Sequence, residues 1–204
     1  MGMRATLDRL ISIGGLLLAV VLLVAGGLLL FAYLFVGNQI HDQLAAQKIT
    51  MPDQTALAKL PAEDKAALEP YAGQLMTTGK QAQAYADHYI AVHLDAVAGG
   101  FTYSEISDQY LLSCINTAAA TSGADCQQLG TQRATLFQGE TLRGLLLTSY
   151  AFATMGTVAG IAAIGAFVAA IFFLVLALLG FRHARKAQEG QAAAVASAAD
   201  DGGT

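Results

Sequence analysis

Two apolar stretches, Leu10 to Val36 and Ala151 to Phe181, contain no charged residue and bracket a polar stretch from 37 to 150. As a helix rising 1.5 Å per residue, the first is roughly 40 Å long, which exceeds the ~30 Å hydrocarbon thickness of a bilayer. The pattern predicts an all-α fold with two transmembrane helices, residues 10–36 and 151–181, and an extracytoplasmic helical cap, residues 37–150, between them. Residues 1–9 form a short N-terminus, and residues 182–204 a basic flank and tail.

Arg4 and Arg9 also fit the n-region of a cleaved signal peptide. The apolar stretch is far longer than the usual ~7–15-residue h-region, and its exit at Phe35, Val36, Gly37 and Asn38 lacks an Ala-x-Ala pattern, so a signal-anchor is expected. Cytoplasmic flanks carry the excess of Lys and Arg. Basic residues precede the first span, and Arg182, Arg185 and Lys186 follow the second, so both termini are expected inside and residues 37–150 outside. Those three side chains are also candidate contacts for lipid headgroups. The outer stretch holds eleven acids against six bases, which accounts for the formal charge of −4. An acidic surface without a basic stripe argues against nucleic acid as a partner.

Both cysteines, Cys114 and Cys126, fall in the outer stretch. In an oxidising compartment a disulfide between them is the natural reading, stabilising by roughly 3 kcal/mol in the chain-entropy model. Two buried thiols are the alternative. Zinc is disfavoured, because the pair lacks the close spacing and the further ligands that zinc sites use.

Helix signals dominate the outer stretch. Gln39 to Ile49 extends the first span until Pro52 breaks it, and a short helix opens after Pro61 with Glu63 and Asp64 in its first turn and closes at Pro70. Thr78 with Gln81, and Thr102 with Glu105, are capping-box pairs. They predict helices from Thr78 to Ala98, stopped by Gly99 and Gly100, and from Thr102 to about Ile115. Ala118 to Gly123 reads as a connector, and beyond Cys126 helix is expected to run unbroken into the second span. The Ala-rich tail after Gln188 has little to bury and is expected to be disordered.

Gly156 and Gly160 form a GxxxG motif in the second span, and Gly14, Gly15, Ala19, Gly26 and Gly27 give the first a small-residue surface. Glycines let helix backbones approach closely, so the spans are expected to pack on each other or in an oligomer. Glu140 and Arg143, three residues apart before the second span, pair on the helix surface, or Arg143 holds a lipid phosphate.

Three segments carry a resemblance: Gln43 to Ile49; Glu69 to Gly73 followed by Ala84 to Leu94; and Gly139 to Leu147. Through them the chain resembles a bacterial family of small two-span proteins, which implies a plasma-membrane location. Members often carry the label aromatic ring-opening dioxygenase. A non-heme iron site needs two histidines and a carboxylate on one face of the metal. The chain has His41, His88, His93 and His183, and the last lies on the other side of the membrane from the rest. His88 and His93, five apart, would point about 140° from each other on an α-helix. His88 and Asp95 share a face two turns apart and His41 could approach from another helix, which leaves a metal site as the alternative to the favoured reading of the histidines as polar-edge or satisfied core residues. No catalytic residue, cofactor or metal is therefore expected.

Three classes of function remain. A structural or interaction protein, self-associating or docking another envelope membrane protein, fits best. A channel or transport accessory subunit is disfavoured, because neither span holds the ionisable residues that mark ion pathways. An envelope ligand sensor or metal enzyme is disfavoured by the missing ligand constellation and output domain.

Overall fold

The computed structural model describes the backbone of residues 3–115 and 123–201. Among these residues the elements are helical, with one isolated antiparallel bridge, Thr50 to Leu75. In chain order they are α1 (Met3–Ala46), α2 (Gln54–Leu57), α3 (Ala62–Leu68), α4 (Gly79–Tyr85), α5 (Ala91–Ala98), α6 (Tyr103–Tyr110) and α7 (Ala124–Asp201). A 3₁₀ turn, Glu69–Tyr71, follows α3, and π-turns fill Ala86–Ile90 and Leu111–Ile115. The chain divides into two units, Met1–Leu34 with Thr157–Thr204, and Phe35–Gly156.

In the first unit α1 and α7 pack antiparallel along small residues. Ser12 and Ala19 on α1, and Ala163, Ala170, Ala177 and Ala184 on α7, are all under 5% exposed. Gly26 continues the α1 series at the same seven-residue step. A seven-residue repeat is what keeps a seam aligned in left-handed helix packing. A Cβ on Gly26 would lie 3.0 Å from the Phe167 ring, and one on Gly160 3.0 Å from the Tyr33 ring. Gly14 and Gly27 have nothing within 4 Å, so the small-residue surface of α1 is only partly a packing surface. The large apolar side chains, Leu17, Val21, Phe31, Ile161 and Phe172 among them, face outward. Both helices are long and apolar enough to cross a membrane.

The second unit has its own core, centred on Leu44, Met51, Leu57, Leu68, Met76, Leu136 and Leu146. Local chemistry sets its element ends. The Asp53 carboxylate accepts from the Ala56 N–H at 2.8 Å and caps α2. Both expected capping boxes form, at Thr78 with Gln81 and at Thr102 with Glu105. Gln81 is 5% exposed yet bonded throughout, its Oε1 accepting from the N–H groups of Thr77 and Thr78 and its Nε2 donating to Gln74. Gly99, at φ +64°, ends α5 in the left-handed conformation that favours glycine. Met51 N–H bonds to the Gln74 carbonyl and Met76 N–H to that of Ile49, both at 2.8 Å, so the chain around α2 and α3 returns beside the end of α1.

The short helix closes at Pro70 as expected: α3 ends at Leu68 with Glu69 as its C-cap, and Pro70 sits in the 3₁₀ turn that follows, where its missing N–H costs nothing because that group is unpaired in a first turn anyway. Two expectations need correction. The helix from Thr78 to Ala98 is not uniform, since the π-turn at Ala86–Ile90 inserts a wider loop of backbone. The tail after Gln188 is helical to Asp201, because alanine is the strongest helix former and the alanines after Gln191 outweigh the single Gly190. Residues 118–122 of the Ala118 to Gly123 connector lie outside the described residues, as do residues 1–2, 116–117 and 202–204.

Gly26→Leu and Gly160→Leu should each drive a side chain into an aromatic ring and cost about 1–3 kcal/mol. Gly14→Leu and Gly27→Leu, with open space beside them, should leave thermal unfolding in detergent close to that of the parent.

Candidate functional site

Asp64, Asp87, His88 and Arg143 meet at the π-turn Ala86–Ile90, and the sequence reading did not anticipate that. Asp87 and His88 are neighbours in it, yet each reaches a different helix. His88 Nδ1 lies 2.9 Å from Asp64 Oδ1 on α3, and Arg143 Nη2 on α7 donates to Asp87 Oδ1 at 3.2 Å. Arg143 also approaches Glu140 at 3.5 Å, a long contact for a charged pair. Its Nε is buried without a hydrogen-bond partner. The guanidinium is thus held by two carboxylates, the Glu140 expected from the sequence and Asp87 on the π-turn. Arg182, Arg185 and Lys186 are exposed on α7, with Ala184 buried between them.

His41, His88 and His93 are each held by a different neighbour. His41 pairs with its neighbour Asp42 at 3.2 Å, and His93 Nδ1 donates to the Tyr89 carbonyl at 2.7 Å. His88 is held by Asp64 rather than Asp95. Among the described residues, no group of three or more His, Cys, Asp or Glu side chains could hold an ion. The 140° separation expected between His88 and His93 assumed a continuous α-helix, and the π-turn breaks that register.

Beside the Arg143 network lies an open cleft of about 510 Å³, lined by Asp95, Phe101, Tyr103, Leu136, Glu140 and Arg143. A second cluster is aromatic. Tyr85 and Tyr89 stack with centroids 4.9 Å apart, and Tyr89 meets His93 at 4.3 Å. Burial first, and the neighbouring Tyr89 second, push the Tyr85 hydroxyl pKa up. At the far end of α6, Cys114 and Cys126 are joined as a disulfide with Cα atoms 5.6 Å apart. Arg133 reinforces that end, its Nε donating to Ser107 at 2.9 Å and its guanidinium lying 5.5 Å from the Tyr110 ring centroid. Gly156 and Gly160 both face α1, against Val36 and Tyr33 respectively, so the GxxxG motif serves packing within the chain.

Comparison with known proteins finds no family model, no curated protein and no solved structure that matches this chain.

Asp87→Ala would leave the half-buried Arg143 without its best partner, and unfolding should show a loss of about 1.5–3 kcal/mol. Asp87→Asn, which keeps an acceptor, should lose less. Glu105 has its pKa lowered, first by the Thr102 N–H and then by the Thr102 hydroxyl. A depressed folded-state pKa means the capping contact stabilises above the unfolded value and is lost as pH falls through the folded one. NMR titration should therefore place Glu105 below the ordinary glutamate range, and Glu105→Gln should remove this part of the acid dependence at the start of α6.

Proposed function

We propose that this chain is a two-span plasma-membrane protein, placed with the bacterial family it resembles, that works by binding rather than catalysis. Its helical domain, 37–150, is presented outside the cytoplasm for self-association or for docking an envelope partner. One observation carries the membrane reading: in the most apolar windows of α1 and α7 only 11% and 17% of residues are buried. A core helix of a soluble protein buries most of such a window, because exposed contiguous apolar surface is costly in water. The seam on α1, with Ser12 against Gly180 and Gly26 against Phe167, supports a retained anchor, since a cleaved leader has no use for a matched packing face. The domain's recorded charge contacts favour binding over chemistry. They tie α3, the π-turn, α6 and α7 together and leave each outer histidine on a carboxylate or a carbonyl.

Cysteine labelling tests this, because the two native cysteines are bonded and silent. A membrane-impermeant maleimide should leave the parent chain unlabelled in intact cells, label Lys59→Cys, and label Lys186→Cys only after permeabilisation. Labelling of Lys186→Cys in intact cells would refute the proposed orientation. Release of the chain from membranes by alkaline carbonate would refute insertion.

A further inference from the structure

Where α1 and α7 touch near the start of α1, small residues make the contact and larger ones stand around it. Gly15 faces Ala177 and Gly180 faces Ser12, so the two backbones come close there. Leu18, Leu176 and Leu179, 42%, 47% and 55% exposed, rise beside those contacts. Between them lies an apolar groove of about 680 Å³. Gly14 lines it, with nothing within 4 Å of the place a side chain would take. Glycine weakens a helix interior, and here its missing side chain keeps the groove open instead of bringing α7 closer. The groove runs from Asp8 to Leu18 along α1 and from His183 to Phe173 along α7, roughly 15 Å on each helix. That is about half of the ~30 Å hydrocarbon thickness, the depth of one leaflet. Its two ionisable lining residues, Asp8 and His183, share one end. Asp8 lies just before Leu10 and His183 just after Phe181, where the uncharged stretches stop. The groove is therefore apolar along its length and polar at the level of the headgroups.

We propose that this groove binds one phospholipid with a primary ammonium in its headgroup, its acyl chain lying over Gly14 and its ammonium on the Asp8 carboxylate. The inference rests on the two-span reading, which puts the groove in the cytoplasmic leaflet. Length and polarity favour a lipid over a soluble ligand, because the groove is one leaflet deep, walled by leucine, and charged only where headgroups lie. Charge decides which lipid. Arg9, Arg182, Arg185 and Lys186 are close in sequence to Asp8 or His183, and such basic flanks attract phosphate. Asp8 is the one acid among residues 1–9 and 182–188, and it lines the groove. A carboxylate there repels a headgroup that carries only a phosphate and attracts one that adds an ammonium. A primary ammonium also donates hydrogen bonds to the carboxylate, which a quaternary one cannot. The zwitterion thus meets the basic flank with its phosphate and Asp8 with its ammonium.

The test puts the full-length chain in nanodiscs holding equal amounts of palmitoyl-oleoyl phosphatidylethanolamine, phosphatidylglycerol and phosphatidylcholine, and reads the lipid it retains by native mass spectrometry. Phosphatidylethanolamine should be retained about tenfold over either of the others, the scale of one hydrogen bond to a charged group. Asp8→Asn, which removes the charge, should erase most of that preference. Gly14→Leu, which fills the groove while leaving thermal unfolding near that of the parent, should lower retention of all three lipids. Gly27→Leu, open but outside the groove, should not. Equal retention of the three lipids, a preference for phosphatidylglycerol, a preference that survives Asp8→Asn, or retention unaffected by Gly14→Leu would each overturn the site. Carbonate extraction separates the two readings. A chain that resists it yet shows no lipid preference sinks only the lipid site, whereas a chain that it releases sinks the membrane reading beneath.

Discussion

Gly79 at the start of α4 lies so close to α7 that an added Cβ would come within 2.5 Å of the Ala153 Cβ and 3.1 Å of the Tyr150 Cα. That close approach sets the register for much of the Phe35–Gly156 unit. As α4 and α5 move away from Gly79, their partners on α7 step backward. Asp87 meets Arg143, Leu94 packs over Gly139, and the Val97 carbonyl accepts from Gln132. α6 follows the same antiparallel course, with Ser107 on Arg133, Tyr110 over Gly130 and Cys114 bonded to Cys126. A single helix thus organises three neighbours. A side chain larger than hydrogen at Gly79 would move α7 away from α4 and loosen the polar contacts that follow from that spacing.

The π-turn at Ala86–Ile90 carries the two side chains that tie this register to charge. Consecutive residues on a regular helix diverge by about 100° and cannot serve one neighbour. Here Asp87 and His88 serve two, α7 and α3, so the turn ties three elements together. Arg143 is 32% exposed at its side chain and is held by two carboxylates, which compensates its charge while its Nε remains without a partner.

The pair formed by α1 and α7 in the other unit is governed by a different balance. Its seam is built from Ser12, Ala19, Gly26, Ala163, Ala170 and Ala177, too small to contribute much apolar burial. Small residues bring backbones together and gain van der Waals contact, which is the useful currency where the surroundings are as apolar as the side chains. The leucines, valines and phenylalanines are accordingly turned outward. The arrangement would be unfavourable in water and is ordinary in lipid.

Much of the fold was legible in the sequence because its signals are local. The two long apolar helices, the capping boxes at Thr78 and Thr102, the stop at Gly99 and the run of helix beyond Cys126 each depend on residues within a turn or two of one another. The seven-residue spacing of Ala163, Ala170, Ala177 and Ala184 along α7 is present in the sequence too, but an alanine spacing in an alanine-rich span is a weaker signal than the GxxxG pair. Tertiary structure alone decided the rest. Asp64 and His88 are 24 residues apart, and Asp87 and Arg143 are 56 apart. No local preference records such a pairing, and the π-turn that aims Asp87 and His88 leaves no mark in composition or periodicity. Which glycines are packed and which are open, and which side of α7 faces away from its own domain, depend on where the neighbouring helices come to rest. Local chemistry specifies where helices start and stop, whereas the identity of a buried or exposed face exists only once another surface has been laid against it.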